Sequence, residues 1–243
     1  CFGRCPCRCI SWFLLLAFDF EGRVYYAEMD WVIEFVLWVM AVLLSLAIHE
    51  FAHAKYAHWA GDPTPAAQGR VTLNPLAHLD PLGTIMILIT AYSGYGFGWG
   101  KPVIVNPGYF RNPRRDWVMC AFWGPLSNIL LAVLFAGVVR LMIATRLGLG
   151  TVFLDFALIM VLANLGLALF NLLPIHPLDG SKVLSGLLPD VFDRRYWSFQ
   201  ITYGPILFLV LVVFVPVLTN GAVRPVWLVL GPVYDFAARL LLG

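Results

Sequence analysis

The chain has 243 residues, of which 60% are hydrophobic and 12% are charged, and its mean hydropathy is +0.81. Ordinary soluble proteins carry about 25% charged residues. The composition therefore excludes an ordinary soluble domain and indicates a helical membrane protein. The formal net charge of +2, without a basic aromatic patch, gives no indication of nucleic-acid binding.

The first 28 residues differ in character from the rest of the chain. The chain starts with Cys1 rather than with Met, and Met29 directly precedes the first convincing hydrophobic span. The apolar run 10–18 is too short to cross a membrane, and no small-residue cleavage site follows it. We therefore expect residues 1–28 to be a leader or a non-native N-terminal extension. Residues 29–243 are expected to form a single membrane-embedded domain.

Five long apolar segments and one shorter segment follow in chain order. The long segments are predicted to cross the membrane and cover residues 31–48, 117–139, 152–173, 199–218 and 226–242. The pair Gly124-Pro125 is expected to interrupt the second of them, 117–139. The shorter segment, 82–99, is rich in glycine at its end and follows a polar stretch, 68–75, that is expected to be extended. The predicted fold is an all-α polytopic membrane protein with about five to six transmembrane helices and a short re-entrant or β-like segment near residues 68–100.

The distribution of lysine and arginine predicts the orientation of the spans. Lys55, the cluster 111–115 and the stretch 182–195 lie on the cytoplasmic side if the first span starts outside and the segment 82–99 does not cross. Arg140 and Arg146 are exceptions to this arrangement. The orientation brings the end of the first span and residue Asp179 to the same side of the membrane. We expect a multi-pass protein of the cell membrane.

A His-Glu-x-x-His motif lies at the end of the first span. His49 and His53 are four residues apart, so a helix presents both imidazoles on one face, as two ligands of a Zn²⁺ ion require. Glu50 is placed where a carboxylate can take a proton from a metal-activated water. The motif also occurs by chance, but ionisable side chains in an apolar helix are costly unless they are paired or coordinated. The apolar context therefore favours a metal site.

A catalytic zinc ion needs a third protein ligand, and Asp179 is the best remaining candidate. It follows the third long segment, 152–173, and lies between Pro177-Leu178 and Gly180, where proline and glycine allow a tight approach. The alternative is that Asp179 caps the helix that follows it. The residues alone leave both interpretations open.

Four motifs in this order resemble the signatures of the site-2 protease family of intramembrane zinc metalloproteases. They are His49-Glu50-Phe51-Ala52-His53, the stretch from Gly69 to Thr84, Gly124-Pro125-Leu126-Ser127-Asn128, and the stretch from Asn171 to Gly180. The resemblance covers roughly residues 31–200, and it is to a compact form, since no PDZ-like insertion or C-terminal regulatory domain is visible. It implies that His49, His53 and Asp179 hold one zinc ion per chain, that Glu50 is the catalytic base and that Asn128 lies close to the active site.

The resemblance implies that the protein hydrolyses a peptide bond within a transmembrane helix of a membrane-protein substrate, in the lipid bilayer. Asn128 could then donate a hydrogen bond to the oxyanion, or it could serve helix packing. The glycine-rich segment 93–100 could pair with an unwound substrate strand, or be a plain loop. His176 replaces the family's usual proline, and we favour a spectator over a substrate contact or an alternative ligand. The rival interpretation is a non-proteolytic metal-binding membrane protein or transporter, which the gathering of ionisable groups at one end disfavours.

Overall fold

The computed structural model describes residues 31–93, 98–145 and 150–243. The expected leader, 1–28, and half of the glycine-rich run 93–100, namely residues 94–97, lie outside the described residues. The helices are α1 (Trp31–Trp59), α2 (Thr64–Ala67), α3 (Pro81–Ser93), α4 (Pro113–Thr145), α5 (Thr151–Asn171), α6 (Asp179–Leu187), α7 (Asp190–Leu209), α8 (Val215–Leu218) and α9 (Pro225–Leu242). A π-helical turn, Val210–Phe214, joins α7 to α8, and 3₁₀ turns occur at Pro75–His78 and Pro107–Tyr109.

In the described part of the chain, five helical segments are long and apolar enough to cross a membrane. They are α1, α4, α5, the continuous stretch Phe192–Leu218 formed by α7 and α8, and α9. Their lengths run from 18 to 33 residues, and a helix needs about 20 residues to cross the hydrocarbon core. The predicted all-α polytopic membrane fold is therefore confirmed. The five segments agree in position with the five that the hydrophobic pattern predicts.

The described residues of the region 68–100 contain a 3₁₀ turn, Pro75–His78, and one short helix, α3. α3 has 13 residues and rises only about 20 Å, too little to cross a bilayer of about 30 Å. The described part of the chain contains no strand, and the β-like description is limited to an isolated antiparallel bridge between Leu79 and Gly100. The stretch that was expected to be extended, 68–75, instead leaves α2 through turns and enters a 3₁₀ turn.

The prediction that Gly124-Pro125 interrupts the second span is wrong. α4 continues through both residues for 33 residues in all. A proline inside a helix removes one backbone donor and bends the axis, while the hydrogen bonds on either side can persist. Pro125 is fully buried within the bundle, so packing holds the helix on both sides of it. The role of Gly124 is to allow a close helix contact, as described below.

α5 lies at the centre of the bundle. Half of its apolar window is buried, against 11–28% for the other four spans, which leave most of their apolar side chains facing outward. α1 packs on α5 through a cluster in which Leu37 and Ala41 meet Ile159, Met160 and Ala163. Small side chains such as Ala41 let membrane helices approach closely. α1, α4 and α6 converge at one end of this bundle, and the candidate site lies there.

Candidate metal centre

The two histidines of the motif lie on the inner face of α1, one turn apart. The ring centroids of His49 and His53 are 4.6 Å apart, with the rings nearly perpendicular. Both residues are buried, with 3% and 8% of their surface exposed. This is the geometry that the four-residue spacing predicts, because positions i and i+4 of a helix lie above one another.

The structure brings Asp179 to this pair from a different part of the chain. Asp179 Oδ2 lies 3.2 Å from His49 Nε2 and 3.0 Å from His53 Nε2, and the two Nε2 atoms are 3.0 Å apart. Asp179 is the first residue of α6, and Leu178 occupies the N-cap position with no side-chain cap bond. The capping alternative for Asp179 therefore finds no support. Within the described residues, these three side chains are the one group arranged to hold a metal ion.

The outer nitrogen of each imidazole has a fixed acceptor. His49 Nδ1 lies 2.6 Å from Asn128 Oδ1, and His53 Nδ1 lies 2.7 Å from the backbone oxygen of Cys120. A carbonyl oxygen only accepts, so each Nδ1 must be the donor. The amide of Asn128 is itself fixed, since its Nδ2 donates to Asn164 Oδ1 at 2.8 Å and to the Ser45 backbone oxygen at 3.3 Å. Both imidazoles are thus held with Nε2 facing Asp179.

This donor set fits a cation. With both Nδ1 atoms donating, each neutral imidazole presents the lone pair of Nε2 to the other and to the Asp179 carboxylate. Three electron-rich atoms at 3.0–3.2 Å repel one another unless a proton or a metal ion lies between them. Ligands of a tetrahedral zinc ion, at about 2.0–2.1 Å from the metal, lie about 3.3–3.4 Å from each other. Hydrogen bonds from the outer nitrogens to protein oxygens are typical of histidines that bind metals.

Lys182 is a member of the site that the sequence analysis missed. It lies one turn after Asp179 on α6, and its Nζ is 3.0 Å from Asp179 Oδ1. Burial alone would raise the pKa of Asp179, but His53 and Lys182 together lower it well below its ordinary value. Burial alone would lower the pKa of Lys182, and Asp179 raises it above its ordinary value instead. The i, i+3 spacing of the pair in the Asp-Gly-Ser-Lys stretch is the sequence signal that could have identified Lys182.

Gly124 of α4 provides the room for the two imidazoles. A Cβ atom at this position would lie 2.3 Å from His53 Nε2 and 2.7 Å from His49 Cε1, well inside van der Waals contact. α4 therefore passes directly against the histidine pair only because residue 124 has no side chain.

We expect Gly124→Ala to reduce zinc retention by at least about 10-fold, because the added methyl group displaces both imidazoles from their common focus. The matched control is Gly137→Ala in the same helix, where an added Cβ meets nothing within 4 Å. Both changes substitute alanine for a helical glycine, so they share any effect on helix propensity. Zinc per chain after dialysis against a chelator is the measurement. Equal zinc retention in the two variants would contradict this account of Gly124.

A cavity of about 360 Å³ opens beside the three ligand candidates. Its wall includes His49, Glu50, His53 and Asp179, and also the irregular stretch Pro102–Val105. Glu50 Oε2 accepts a hydrogen bond from the backbone N–H of Val103 at 3.3 Å. The cavity therefore brings together the three candidate metal ligands and the carboxylate of Glu50, which is fixed by a hydrogen bond but only partly buried.

Two other predicted residues lie away from the cavity wall. Asn128 is fully buried and not among the side chains that line the cavity. His176 packs its ring edge-to-face on Trp197, with centroids 5.9 Å apart, and its backbone N–H donates to Gln200 Oε1. Burial, together with the charge of Lys182, lowers the pKa of His176. The structure does not bring His176 into the group of three ligand candidates.

The spans and the buried cluster define a polytopic membrane protein with a candidate metal centre at one end of its bundle. The chain is 42% identical over 179 residues to a Bacillus subtilis protein named "Putative zinc metalloprotease YwhC", and the match covers 72% of this chain and 79% of that protein. It is 36% identical over 184 residues to Rip2 of Mycobacterium tuberculosis strain Erdman, with 72% and 67% covered. For Rip2 of Mycolicibacterium smegmatis the identity is 33% over 177 residues, with 69% and 65% covered.

The chain belongs to the site-2 protease family of zinc metalloproteases, which confirms the resemblance seen in its motifs. Both mycobacterial relatives carry the name "Putative zinc metalloprotease Rip2". The chain spans about two thirds of the length of these two relatives. No family model matches the chain, and no solved structure is significantly similar to it.

Proposed function

We propose that the protein is an intramembrane zinc metalloprotease that hydrolyses a peptide bond in a transmembrane segment of a membrane-protein substrate. The observation that carries this proposal is the convergence of His49, His53 and Asp179 beside a cavity that Glu50 also lines. Three protein ligands and an accessible carboxylate form the usual composition of a catalytic zinc site in a protease. A zinc ion bound there would be the single zinc ion per chain that the sequence analysis expects.

Bound at these three residues, zinc would supply a Lewis acid that lowers the pKa of water to about 7 and polarises the scissile carbonyl. The chain's own part in the reaction is proton transfer, orientation and exclusion of lipid. Glu50 accepts a proton from the attacking water and returns it to the leaving amine as the peptide bond breaks. The N–H of Val103, 3.3 Å from Glu50 Oε2, holds that carboxylate toward the cavity and leaves its other oxygen free for the water.

The stretch 101–106 is the proposed contact for the substrate strand. It contains no helical turn, its last residue Asn106 has an extended backbone, and it is anchored at both ends. Lys101 N–H donates to His78 O at 2.8 Å, and Asn106 N–H donates to Asp62 Oδ2 at 2.7 Å. A substrate helix has its carbonyls hydrogen-bonded internally, so it must unwind before attack. An unwound strand can pair along an extended, rigidly held segment by edge addition. This places the pairing directly after the glycine-rich stretch that the sequence analysis selected.

Asn128 enters this proposal as the residue that orients His49. Both hydrogens of its amide are engaged by Ser45 and Asn164, and its oxygen faces His49 Nδ1, so no donor remains for an oxyanion. Loss of a group that accepts a hydrogen bond from a metal-binding histidine typically lowers metal affinity by about 10–100-fold. We expect Asn128→Leu to weaken zinc binding by about that factor, measured by competition with a chelator of known affinity. An unchanged affinity would return Asn128 to a role in helix packing.

We further propose that the protein lies in the cell membrane with its candidate metal centre toward the cytoplasm. Arg111 directly precedes α4, and Arg114 and Arg115 lie in its first turn; all three are exposed, at the same end of the bundle as the site. Positive charges next to spans are enriched on the cytoplasmic side. Single cysteines introduced at Arg111 and, at the other end of α4, at Thr145 would test this by labelling with a membrane-impermeant thiol reagent in intact cells. Labelling at position 111 alone would reverse the orientation.

The test of the proposed function is proteolysis in liposomes that contain the purified chain and single-span substrates. The protein is stripped of metal with a chelator, and one half is reloaded with zinc. We expect cuts within the spanning stretch of a substrate only in the zinc-loaded sample, with both products identified by mass spectrometry. Cleavage that is independent of zinc would contradict the proposal. Zinc flux into the liposomes without any cleavage would support the alternative of a metal transporter.

A further inference from the structure

The two oxygens of the Asp179 carboxylate have different partners. Oδ2 faces both imidazoles, at 3.2 Å from His49 Nε2 and 3.0 Å from His53 Nε2, while Oδ1 lies 3.0 Å from Lys182 Nζ. A carboxylate can bind a metal ion through one oxygen or through both, and binding through both raises the coordination number. In this structure the ammonium group of Lys182 is hydrogen-bonded to the second oxygen, Oδ1, while Oδ2 alone faces the two imidazoles.

Lys182 is held in this place from its other side. Its Nζ lies 5.8 Å from the centroid of the Trp117 ring on α4, at the distance of a cation–π contact. α6 packs so closely on α4 that a Cβ at Gly186 would lie 1.8 Å from Val118 Cγ2. The backbone from which Lys182 projects is therefore fixed against α4, and only 27% of the lysine side chain is exposed.

No other lysine or arginine on the described cavity wall competes with Lys182 for the carboxylate of Asp179. Among the side chains that line the cavity in the described part of the chain, Lys182 is the only lysine or arginine. The carboxylates of Asp179 and Glu50 both lie on the same cavity wall. The contact with Asp179 is the closer of the two, since it is a direct hydrogen bond. A charge-assisted hydrogen bond in a partly buried position is strong enough to orient a carboxylate.

We propose that Lys182 is a positioning residue that keeps Asp179 a one-oxygen ligand of the metal. By holding Oδ1, the lysine prevents the carboxylate from binding through both oxygens. The coordination number stays low and one position stays open for the reactants, as catalytic zinc sites require. The inference rests on the proposed function in one respect, namely that His49, His53 and Asp179 hold the metal. The inference adds Lys182 as the residue that determines whether Asp179 binds the metal through one oxygen or through both.

The experiment uses the full chain in detergent with Co²⁺ as a spectroscopic probe in place of zinc. The visible d–d absorption of Co²⁺ weakens as its coordination number rises from four to five or six, because geometry governs these bands. We expect Lys182→Met to keep the cobalt but to lose about half or more of the absorption, since Asp179 becomes free to bind through both oxygens. Lys182→Arg retains a cationic donor and is expected to restore the intensity of the wild type.

The matched control is Lys55→Met. Lys55 makes the same kind of contact, with its Nζ 5.2 Å from the centroid of Trp59, but it is not among the residues of the cavity wall. Its replacement is expected to leave the cobalt spectrum unchanged. A loss of intensity in Lys182→Met but not in Lys55→Met therefore reports the contact with Asp179, and not the general removal of a lysine.

Three results would overturn the inference. They are a wild-type spectrum in Lys182→Met, an equal loss of intensity in Lys182→Met and Lys182→Arg, and complete loss of cobalt from a variant whose helices remain intact by circular dichroism. If Lys182→Met fails to fold, Lys182→Gln is measured in its place under the same criteria. Failure of the proposed metal centre is distinguished by Asp179→Ala, because a cobalt spectrum unchanged by that substitution would remove Asp179 itself from the site.

Discussion

Replacement of Glu50 by glutamine is expected to abolish proteolysis while leaving zinc bound. Glutamine has nearly the same shape, and its amide oxygen can still accept the hydrogen bond that Val103 N–H donates to Glu50 Oε2. It cannot take a proton from water, however, and a positioned general base typically contributes 10²–10⁴-fold to the rate. We therefore expect the rate constant for cleavage at saturating substrate to fall by about 10²–10⁴-fold, with zinc content per chain unchanged.

The matched control for Glu50→Gln is Glu34→Gln. Glu34 belongs to the same helix, α1, but lies in its first turn, far from the cavity. This variant is expected to cleave substrate at the rate of the wild type. If fragments form equally with wild type and Glu50→Gln, a contaminating protease is responsible or Glu50 is not the base. If Glu50→Gln loses zinc as well as activity, the carboxylate contributes to metal binding and its assigned role is wrong.

Replacement of Asp179 by alanine is expected to abolish zinc retention. The change removes one of three converging ligand atoms and leaves Lys182, which lay 3.0 Å from Asp179 Oδ1, next to two histidines without a compensating charge. The loss of affinity should exceed the effect of about 10–100-fold that follows when a ligand loses its hydrogen-bond partner, so the purified variant should hold little or no zinc. Asp179→Asn, which keeps the shape but not the charge, should weaken zinc binding less than alanine does.

The control for Asp179→Ala is Asp155→Ala, which removes another buried aspartate. Asp155 is 8% exposed and Asp179 is 6% exposed, but Asp155 lies in α5, outside the candidate metal centre. The variant Asp155→Ala should retain zinc at the level of the wild type. The measurement is metal content together with helical content by circular dichroism. Unchanged zinc in Asp179→Ala would remove Asp179 from the site and make His176 the next candidate, although its ring packs on Trp197 in this structure.

The parts of this protein that follow from local periodicity are the parts that the sequence analysis predicted correctly. The five spans follow from the length of their apolar runs. Within a bilayer every backbone polar group must be hydrogen-bonded inside the protein, and a long apolar run meets this requirement by forming a helix. The pairing of His49 with His53 follows from the pitch of a helix. The error at Gly124-Pro125 has the opposite origin. Local propensity predicts a break there, while burial of Pro125 within the bundle holds the helix together.

Long-range contacts decided the rest of the site. Asp179 is 126 residues away from His53 along the chain, and Asn128 is 79 residues away from His49. No local pattern determines which side chain meets which across such separations. The acceptor for His53 Nδ1 is a backbone oxygen, that of Cys120, and every residue type has one. Only the tertiary structure could therefore identify it.

The sequence by itself determined the membrane class, the spans, the histidine pair and the position of Glu50 beside that pair, because each of these depends on hydrophobicity or on the repeat of a single helix. The role of Glu50 as the base stays a prediction. The tertiary structure decided that Asp179 completes the group of ligand candidates, that Asn128 faces a histidine and not the cavity, and that Lys182 holds the second carboxylate oxygen. These features depend on how α1, α4 and α6 pack. That packing turns on small details of shape, such as the absence of a side chain at Gly124, which brings α4 against the two imidazoles.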